Sequence, residues 1–546
     1  MVEVWGGIEC SVVRVGGVIR DQLAETGHSK RIGDLNLVAS LGIKTLRYPA
    51  LWEHVEAVEG SDDWSWLDQR LQQMHQLGIA PIAALVHHGS GPCWTSILAP
   101  DFAERLAAFA GRLASRYPWI KTFTPINEPM TTARLSGLYG FWHPHRTDES
   151  TCLRLLVAQC RAIAMTMSAI RKIIPDARLL QTEDVGKIFA TPELAYQAEY
   201  ENGRRWLSLD LLCGHVGQYH PFHQRLLDAG VDPAHLAELE GTPCTPDLIG
   251  VDYYLTSDRF LDHRVDRHPR EPVGGNGIVP YVDIAAFRTD APACELGFAS
   301  RLREVWRRYS LPVVIGEVHN ACTREEQLRW FMEGWEAATD CAAEGIDVRA
   351  VTAWSMFGAM DWNSMMMRQD GYYECGVFDA RADLPRRTIM ADAISTLVNK
   401  QSFCHPVLAQ TGWWRAPRNR LGKSPTIQLR GFDRRLSILG ECCSRRRLSA
   451  RAAPQQAGSP DAWVELSVGG SGRGSQAVLF GRYCRSKMFS LAVSDSVDWV
   501  AACNAFLDLV VDGLTGSYEL VSAHRDNQYR IAERPISLAA TMSLQR

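Results

Sequence analysis

No two cysteines in this chain stand at Cys-x-x-Cys spacing, and its 15 cysteines are scattered and odd in number. That pattern argues against a disulfide framework and fits a reduced, cytoplasmic compartment. The adjacent Cys442-Cys443 pair makes a poor metal site by itself. No stretch approaches the roughly 18 consecutive apolar residues of a membrane span. The first residues, Met-Val-Glu-Val-Trp-Gly-Gly, lack both a basic run and a long apolar core, so no secretory leader and no membrane partner are expected. The formal net charge is only −4, which argues against a general polyanion binder and against a nucleic-acid partner. No internal repeat is present, and no Gly-rich loop follows the first apolar run.

What is present is a soluble globular composition, 46% apolar and 22% charged, in 546 residues, long enough for two domains with ample core. The first 400 residues alternate strand-like and helix-like segments, the pattern of α/β architecture with a parallel sheet. Expected strands are 2–6, 43–48, 79–86, 122–127, 177–183, 247–253, 312–317 and 349–354. Expected helices include 30–41, 64–77, 102–116, 152–174, 295–309 and 324–345, with Asp101 capping the third and Thr323 with Glu326 forming a capping box for the last. Eight strands with intervening helices predict a (β/α)8 TIM barrel over 1–400, with a doubly wound open sheet as the rival.

After Lys400 the sequence changes character. Residues 415–451 hold ten arginines, and 454–475 are rich in Gly, Ser and Pro, so 401–480 reads as a basic linker. Residues 481–546 read as a small degenerate α/β remnant. Within it, Ser494 is expected to cap a helix through Val511, followed by an Asp512-Gly513 turn and a strand from Ser517 to Val521.

Two acids stand where apolar runs end: Glu128 in Thr-Pro-Ile-Asn-Glu-Pro and Glu317 in Val-Val-Ile-Gly-Glu-Val-His-Asn. In a parallel barrel those positions share the C-terminal face, and a converging pair of carboxyls is what glycosidic bond cleavage requires. Other polar residues end strands too: Arg47 and Tyr48 the second, His87 and His88 the third, and Asn127 the fourth. Glu183 and Asp184 end the fifth, Tyr254 follows the sixth, Trp354 and Ser355 end the eighth, and Asp361-Trp362 lie in the loop beyond. Met365-Met366-Met367 are expected to fill a hydrophobic gap rather than line an entrance.

This ordered set resembles the family 1 glycoside hydrolases, and more loosely the wider clan of (β/α)8 retaining glycosidases. The resemblance covers about residues 1–400. It implies Glu317 as nucleophile, its anion favoured by Arg47 and Tyr254, and Glu128 as acid and then base. It also implies Asn127 on the sugar 2-hydroxyl, His87 on another hydroxyl, Trp354 as an apolar floor, and Asp361 with Trp362 toward the outer hydroxyls. The partner is then a small-molecule β-linked glycoside, with no metal and no organic cofactor. Departures from the family pattern are Gly316-Glu317-Val318-His319 in place of Thr-Glu-Asn-Gly, Asp361 in place of Glu, and no Gln near the first strand, where Glu9 stands.

Residues 494–522 resemble the C-terminal part of dTDP-4-dehydrorhamnose reductases, which occur fused to family 1-like barrels. A working reductase needs a Gly-rich loop opening a βαβ unit and a Tyr-x-x-x-Lys pair. Tyr483 and Lys487 have the spacing, but the Gly-rich run at 469–474 lies nine residues before Tyr483, too close for a separate nucleotide-binding unit. Three readings therefore compete: a retaining β-glycosidase, a bifunctional nucleotide-sugar reductase, and a sugar-binding barrel without turnover.

Overall fold

The computed structural model describes residues 2–415 except 269–270 and 290, and beyond them 426–430, 435–445, 450–452, 463–470, 476–483, 487–494, 499–500, 502–504, 506–507 and 529–531. The chain divides into two compact units, the first made of 1–321 and 327–410.

The first unit is a closed barrel of eight parallel strands, each paired with the next in sequence and the last with the first. They are β1 (Glu3–Gly7), β2 (Thr45–Pro49), β3 (Ala80–His87), β4 (Thr122–Asn127), β5 (Arg178–Asp184), β6 (Leu248–Asp252), β7 (Val313–Val318) and β8 (Val348–Ala353). All eight lie within two residues of the expected bounds, because each is a short apolar run that the barrel buries on both faces. One layer of the interior is filled by Trp5, Ile82, Leu180, Leu248, Val314 and Ala350, so the barrel is plugged below its C-terminal face.

Helices alternate with the strands: α1 (Asp34–Ser40), α2 (Ser65–Leu77), α3 (Phe102–Arg116), α4 (Glu149–Arg171), α5 (Leu207–Leu212), α6 (Phe298–Tyr309), α7 (Arg324–Ala343) and α8 (Ile389–Val398). Helix α3 buries Phe102, Leu106, Phe109 and Leu113, the stripe its sequence spacing predicts. Asp101 precedes it but does not cap it; its carboxylate accepts from Arg105 Nε at 2.5 Å instead. Thr323 Oγ1 accepts the Glu326 N–H at 3.2 Å, as expected at the start of α7. Helix α4 spans 23 residues and is long and apolar enough to cross a membrane, a feature the sequence reading did not single out. Its apolar residues are mostly buried inside the barrel's outer layer.

Two insertions build the barrel's mouth. A hairpin of Val12–Val15 and Val18–Asp21 follows β1. It packs Val13 against Leu135, Trp142 and Met366. Met366 is thus the gap filler expected of the Met365–Met367 run, while Met365 and Met367 are exposed. A four-stranded sheet of 188–190, 259–262, 273–275 and 280–285 comes from the segments after β5 and β6.

The second unit holds a six-stranded sheet: β9 (Thr426–Arg430), β10 (Ala450–Ala452), β11 (Trp463–Gly470), β12 (Gln476–Tyr483), β13 (Lys487–Ser494) and β14 (Tyr529–Ile531). Its order is β10-β9-β11-β12-β13-β14, parallel around β9 and antiparallel from β11 onward. Residues read as linker therefore form paired strands. Their alternation, Trp463-Val464-Glu465-Leu466-Ser467-Val468, is diluted when composition is averaged with the surrounding Gly and Ser. Tyr483 and Lys487 are register partners across the β12–β13 hairpin, on strands rather than on one helix. Ser494 ends β13, while the Asp512-Gly513 turn and the 517–521 strand lie outside the described residues.

Candidate active site

Both acids stand at the same end of the barrel. Glu128 follows β4 and Glu317 lies in the last residues of β7, and each is buried, 4% and 2% exposed. Each offers a carboxyl oxygen within 4.8 Å of the other's.

Their surroundings differ. Arg47 Nη1 donates to Glu317 Oε1 at 3.1 Å and to the Gly316 carbonyl at 2.7 Å, and the Tyr254 hydroxyl donates to Glu317 Oε2. Glu128 has no such cation. Its nearest basic partner is His88 Nε2 at 3.5 Å, and its Oε1 has no hydrogen-bond partner. Burial holds His88 near 3, with Arg47 adding to the effect, so that ring is neutral. Burial pushes both glutamates above the carboxylate range, and nearby acids add to this. Arg47 and Tyr254 pull Glu317 back. The anion is thus favoured at Glu317 by two partners that Glu128 lacks.

The backbone at Glu128 is held out of the helical region, at φ 42°, before Pro129 opens a short helix. Glu183 is not a sugar-facing acid: it accepts the N–H groups of Met130 at 2.9 Å and Thr131 at 3.3 Å, capping that helix. Asp184 accepts from Gly186 N and Ser257 Oγ. Left-handed conformations recur at His88, Asp361, Met365 and Met366, all on loops at the C-terminal face. Each non-glycine residue of this kind stores about 1–3 kcal/mol, offset by the rigid strands beneath.

Asn127 is fully engaged. Its Oδ1 accepts from Arg47 Nη2 at 2.7 Å and Thr182 Oγ1 at 2.5 Å, and its Nδ2 lies 3.3 Å from Nε2 of both His87 and His88. His87 stacks on Trp354 at 5.4 Å, and its buried Nδ1 has no partner, an atom a hydroxyl of a bound ligand would satisfy. Trp354 also lies under the Arg47 guanidinium at 4.6 Å. Its ring can sit so deep because β1 ends in Gly7, where an added Cβ would stand 2.3 Å from it. Glu9 joins this group: its Oε2 accepts from Trp354 Nε1 at 3.1 Å and its Oε1 from Ser11. Trp362 stands beside His88 and Trp142 at the rim.

One residue behaves differently from its expected part. Asp361 is buried and occupied: Arg20 Nη2 donates to it at 2.9 Å, and the N–H groups of Gly371 and Tyr372 at 3.3 and 2.7 Å. Its carboxylate holds the loop rather than facing an open pocket. Tyr48 is a core residue, stacked on Trp66 and bonded to His28. Asp252, at the end of β6, went unnoticed in the sequence because it sits inside an apolar strand before Tyr253-Tyr254. Glu128, Asp252 and Glu317 form the one cluster of three acids with metal-like spacing among the described residues. Arg47 already supplies a positive charge beside it, 3.1 Å from Glu317 and 3.9 Å from Asp252.

No protein-family model matches the sequence. Solved structures with this barrel include the family 1 β-glucosidase from Thermotoga maritima, at 16% identity and TM-score 0.57, covering 73% of this chain and 98% of that one. The same enzyme in complex with deoxynojirimycin aligns at 16% identity and TM-score 0.56, over 68% of this chain and 87% of that one. In complex with cyclophellitol it aligns at 17% and 0.56, over 74% and 98%. These structural neighbours are family 1 β-glucosidases built on an eight-stranded parallel barrel, and the likeness establishes the (β/α)8 fold of this chain.

Proposed function

We propose that the barrel is a retaining β-glycosidase, hydrolysing or transferring β-linked sugars through a covalent glycosyl-enzyme intermediate. The observation that carries this reading is the asymmetry of the two facing acids: Arg47 and Tyr254 hold Glu317, and nothing cationic holds Glu128. Retaining enzymes keep the two carboxyls about 5–5.5 Å apart, too close for an intervening water. The approach of the two carboxyl oxygens to within 4.8 Å supports that geometry.

In the first step Glu317 attacks the anomeric carbon while Glu128 gives its proton to the glycosidic oxygen. The C–O bond to the aglycone breaks, and the sugar is left as an ester of Glu317. In the second step Glu128 takes a proton from water, the resulting hydroxide attacks the same carbon, and Glu317 leaves as a carboxylate. Arg47 and Tyr254 favour the anion of Glu317 at the start and end of the cycle. The unpartnered His87 Nδ1 and the Trp354 face supply contacts for the sugar ring.

The test is a panel of activated aryl β-glycosides, assayed with the native chain and with both glutamate variants, with product configuration followed by NMR. First-formed β-anomer supports retention; first-formed α-anomer, or no turnover of any glycoside, ends the reading. The reductase reading of the C-terminal unit rests on the resemblance of 494–522 alone.

A further inference from the structure

The geometry points to Asp252 as a positioning residue that keeps the catalytic proton on Glu128, the two carboxyls sharing one proton between them. This deepens the glycosidase reading, and its consequence for turnover rests on that reading.

Asp252 stands next to Glu317 in the strand register on one side and next to Asp184 on the other. It is fully buried, and neither of its oxygens receives a bond from an N–H or hydroxyl group of the protein. Glu128 Oε1 is likewise buried without such a donor. A buried carboxylate without a donor costs several kcal/mol, so two side by side are a double liability. One proton lessens it: a protonated Glu128 donates to Asp252, so Glu128 Oε1 and one of the two Asp252 oxygens gain a partner. Asp252 is held in place by β7, where an added Cβ on Gly316 would stand 2.1 Å from its Oδ1. The side chain therefore lies across a position only glycine can occupy.

The charged and titratable groups around the pair come from every neighbouring strand. Arg47 of β2 lies 3.9 Å from Asp252, His88 follows β3 and is neutral, Glu183 and Asp184 end β5, Tyr254 follows β6, and Glu317 lies on β7. Arg134 adds a positive charge toward Asp184. Burial pushes the acid of Asp252 up to about 7.

The cycle then keeps its charge balance. In the free enzyme Glu317 is anionic and the Glu128–Asp252 pair carries one negative charge and one proton. In the glycosyl-enzyme Glu317 is a neutral ester, the proton has gone to the leaving alcohol, and Glu128 and Asp252 are both anionic. Two negative charges face Arg47 in either state, so proton transfer does not change the net charge of a buried pocket. Water returns the proton to Glu128 in the second step, and the pair is restored.

The experiment compares the full native chain with Asp252→Asn and Glu128→Gln by two readouts. The first is the pH profile of kcat/KM on 4-nitrophenyl β-glucoside. Removing the charge of Asp252 should move the alkaline limb down by about 1–3 pH units, the range expected for losing a like charge at this separation. The second is infrared difference spectroscopy of the protonated-carboxyl stretch, which needs no turnover. The band of the shared proton, present in the native chain at neutral pH, should be lost in Glu128→Gln and displaced in Asp252→Asn. An unmoved limb with an unmoved band in Asp252→Asn overturns the proposal. If no glycoside is turned over, the glycosidase reading falls and the infrared comparison alone judges the shared proton. If Asp252→Asn does not fold, persistence of the band in folded Glu128→Gln overturns it, and its loss supports it.

Discussion

Arg20, on the hairpin after β1, donates to Asp361, on the loop after β8, at 2.9 Å with both side chains buried. The same guanidinium donates to the carbonyls of Met366 and Arg368 and to Glu25. Removing one member of a buried pair leaves the other charged and unsolvated, at a cost of about 3–5 kcal/mol. Arg20→Met is therefore expected to lower the unfolding free energy in urea by that amount, and Arg20→Met with Asp361→Asn to recover part of it. Equal midpoints for native chain and single variant would show that the pair carries no stability.

Glu317→Ala should bring turnover below detection, since Glu317 is the acid that both Arg47 and Tyr254 engage. Azide is small enough to enter the space left by the carboxylate. With an activated β-glycoside it should restore partial activity and yield the α-glycosyl azide. Rescue without that inverted adduct would mean that Glu317 is not the nucleophile.

Glu128→Gln keeps the shape of the side chain and removes the proton. General-acid assistance is worth about 10²–10⁴-fold, and only where the leaving group needs it. Alkyl glycosides should slow by that factor, and nitrophenyl glycosides far less in the first step. Parallel slowing of both series would contradict the role.

Glu53 is buried, and neither carboxyl oxygen has a partner. Burial raises its acid from the ordinary 4.5 to about 7. Below 4.5 both folded and unfolded chains hold the proton, and the stabilisation is fully present. As pH rises from 4.5 through 7 the unfolded chain loses its proton first, so stability falls by about 3 kcal/mol across that window. Glu53→Gln should flatten part of the decline in a series of urea titrations between pH 4.5 and 8. A slope unchanged from the native chain would show that Glu53 does not titrate with folding.

The barrel was legible because eight short apolar runs ended in polar residues, and a parallel barrel collects all those ends on one face. Glu128, Glu317, Arg47, Asn127, His87, Tyr254 and Trp354 were found that way, and the structure brings them together. Asp252 was missed because strand-end reasoning places it one residue too early, within what looks like the strand's own core. Arg20 was missed because its meaning depends on a contact 341 residues away in sequence, which no local pattern encodes. Asp361 was placed in the right loop but with the wrong partner, for the same reason. The strands of the second unit escaped because their alternation is short and lies among Gly- and Ser-rich stretches.

The residues with left-handed backbone at His88, Glu128, Asp361, Met365 and Met366 have a thermal consequence. Their loops are kept in costly shapes by anchoring to the strands. Warming should release the loops first, so enzymatic half-life should be exhausted at temperatures where far-ultraviolet ellipticity still reports an intact barrel.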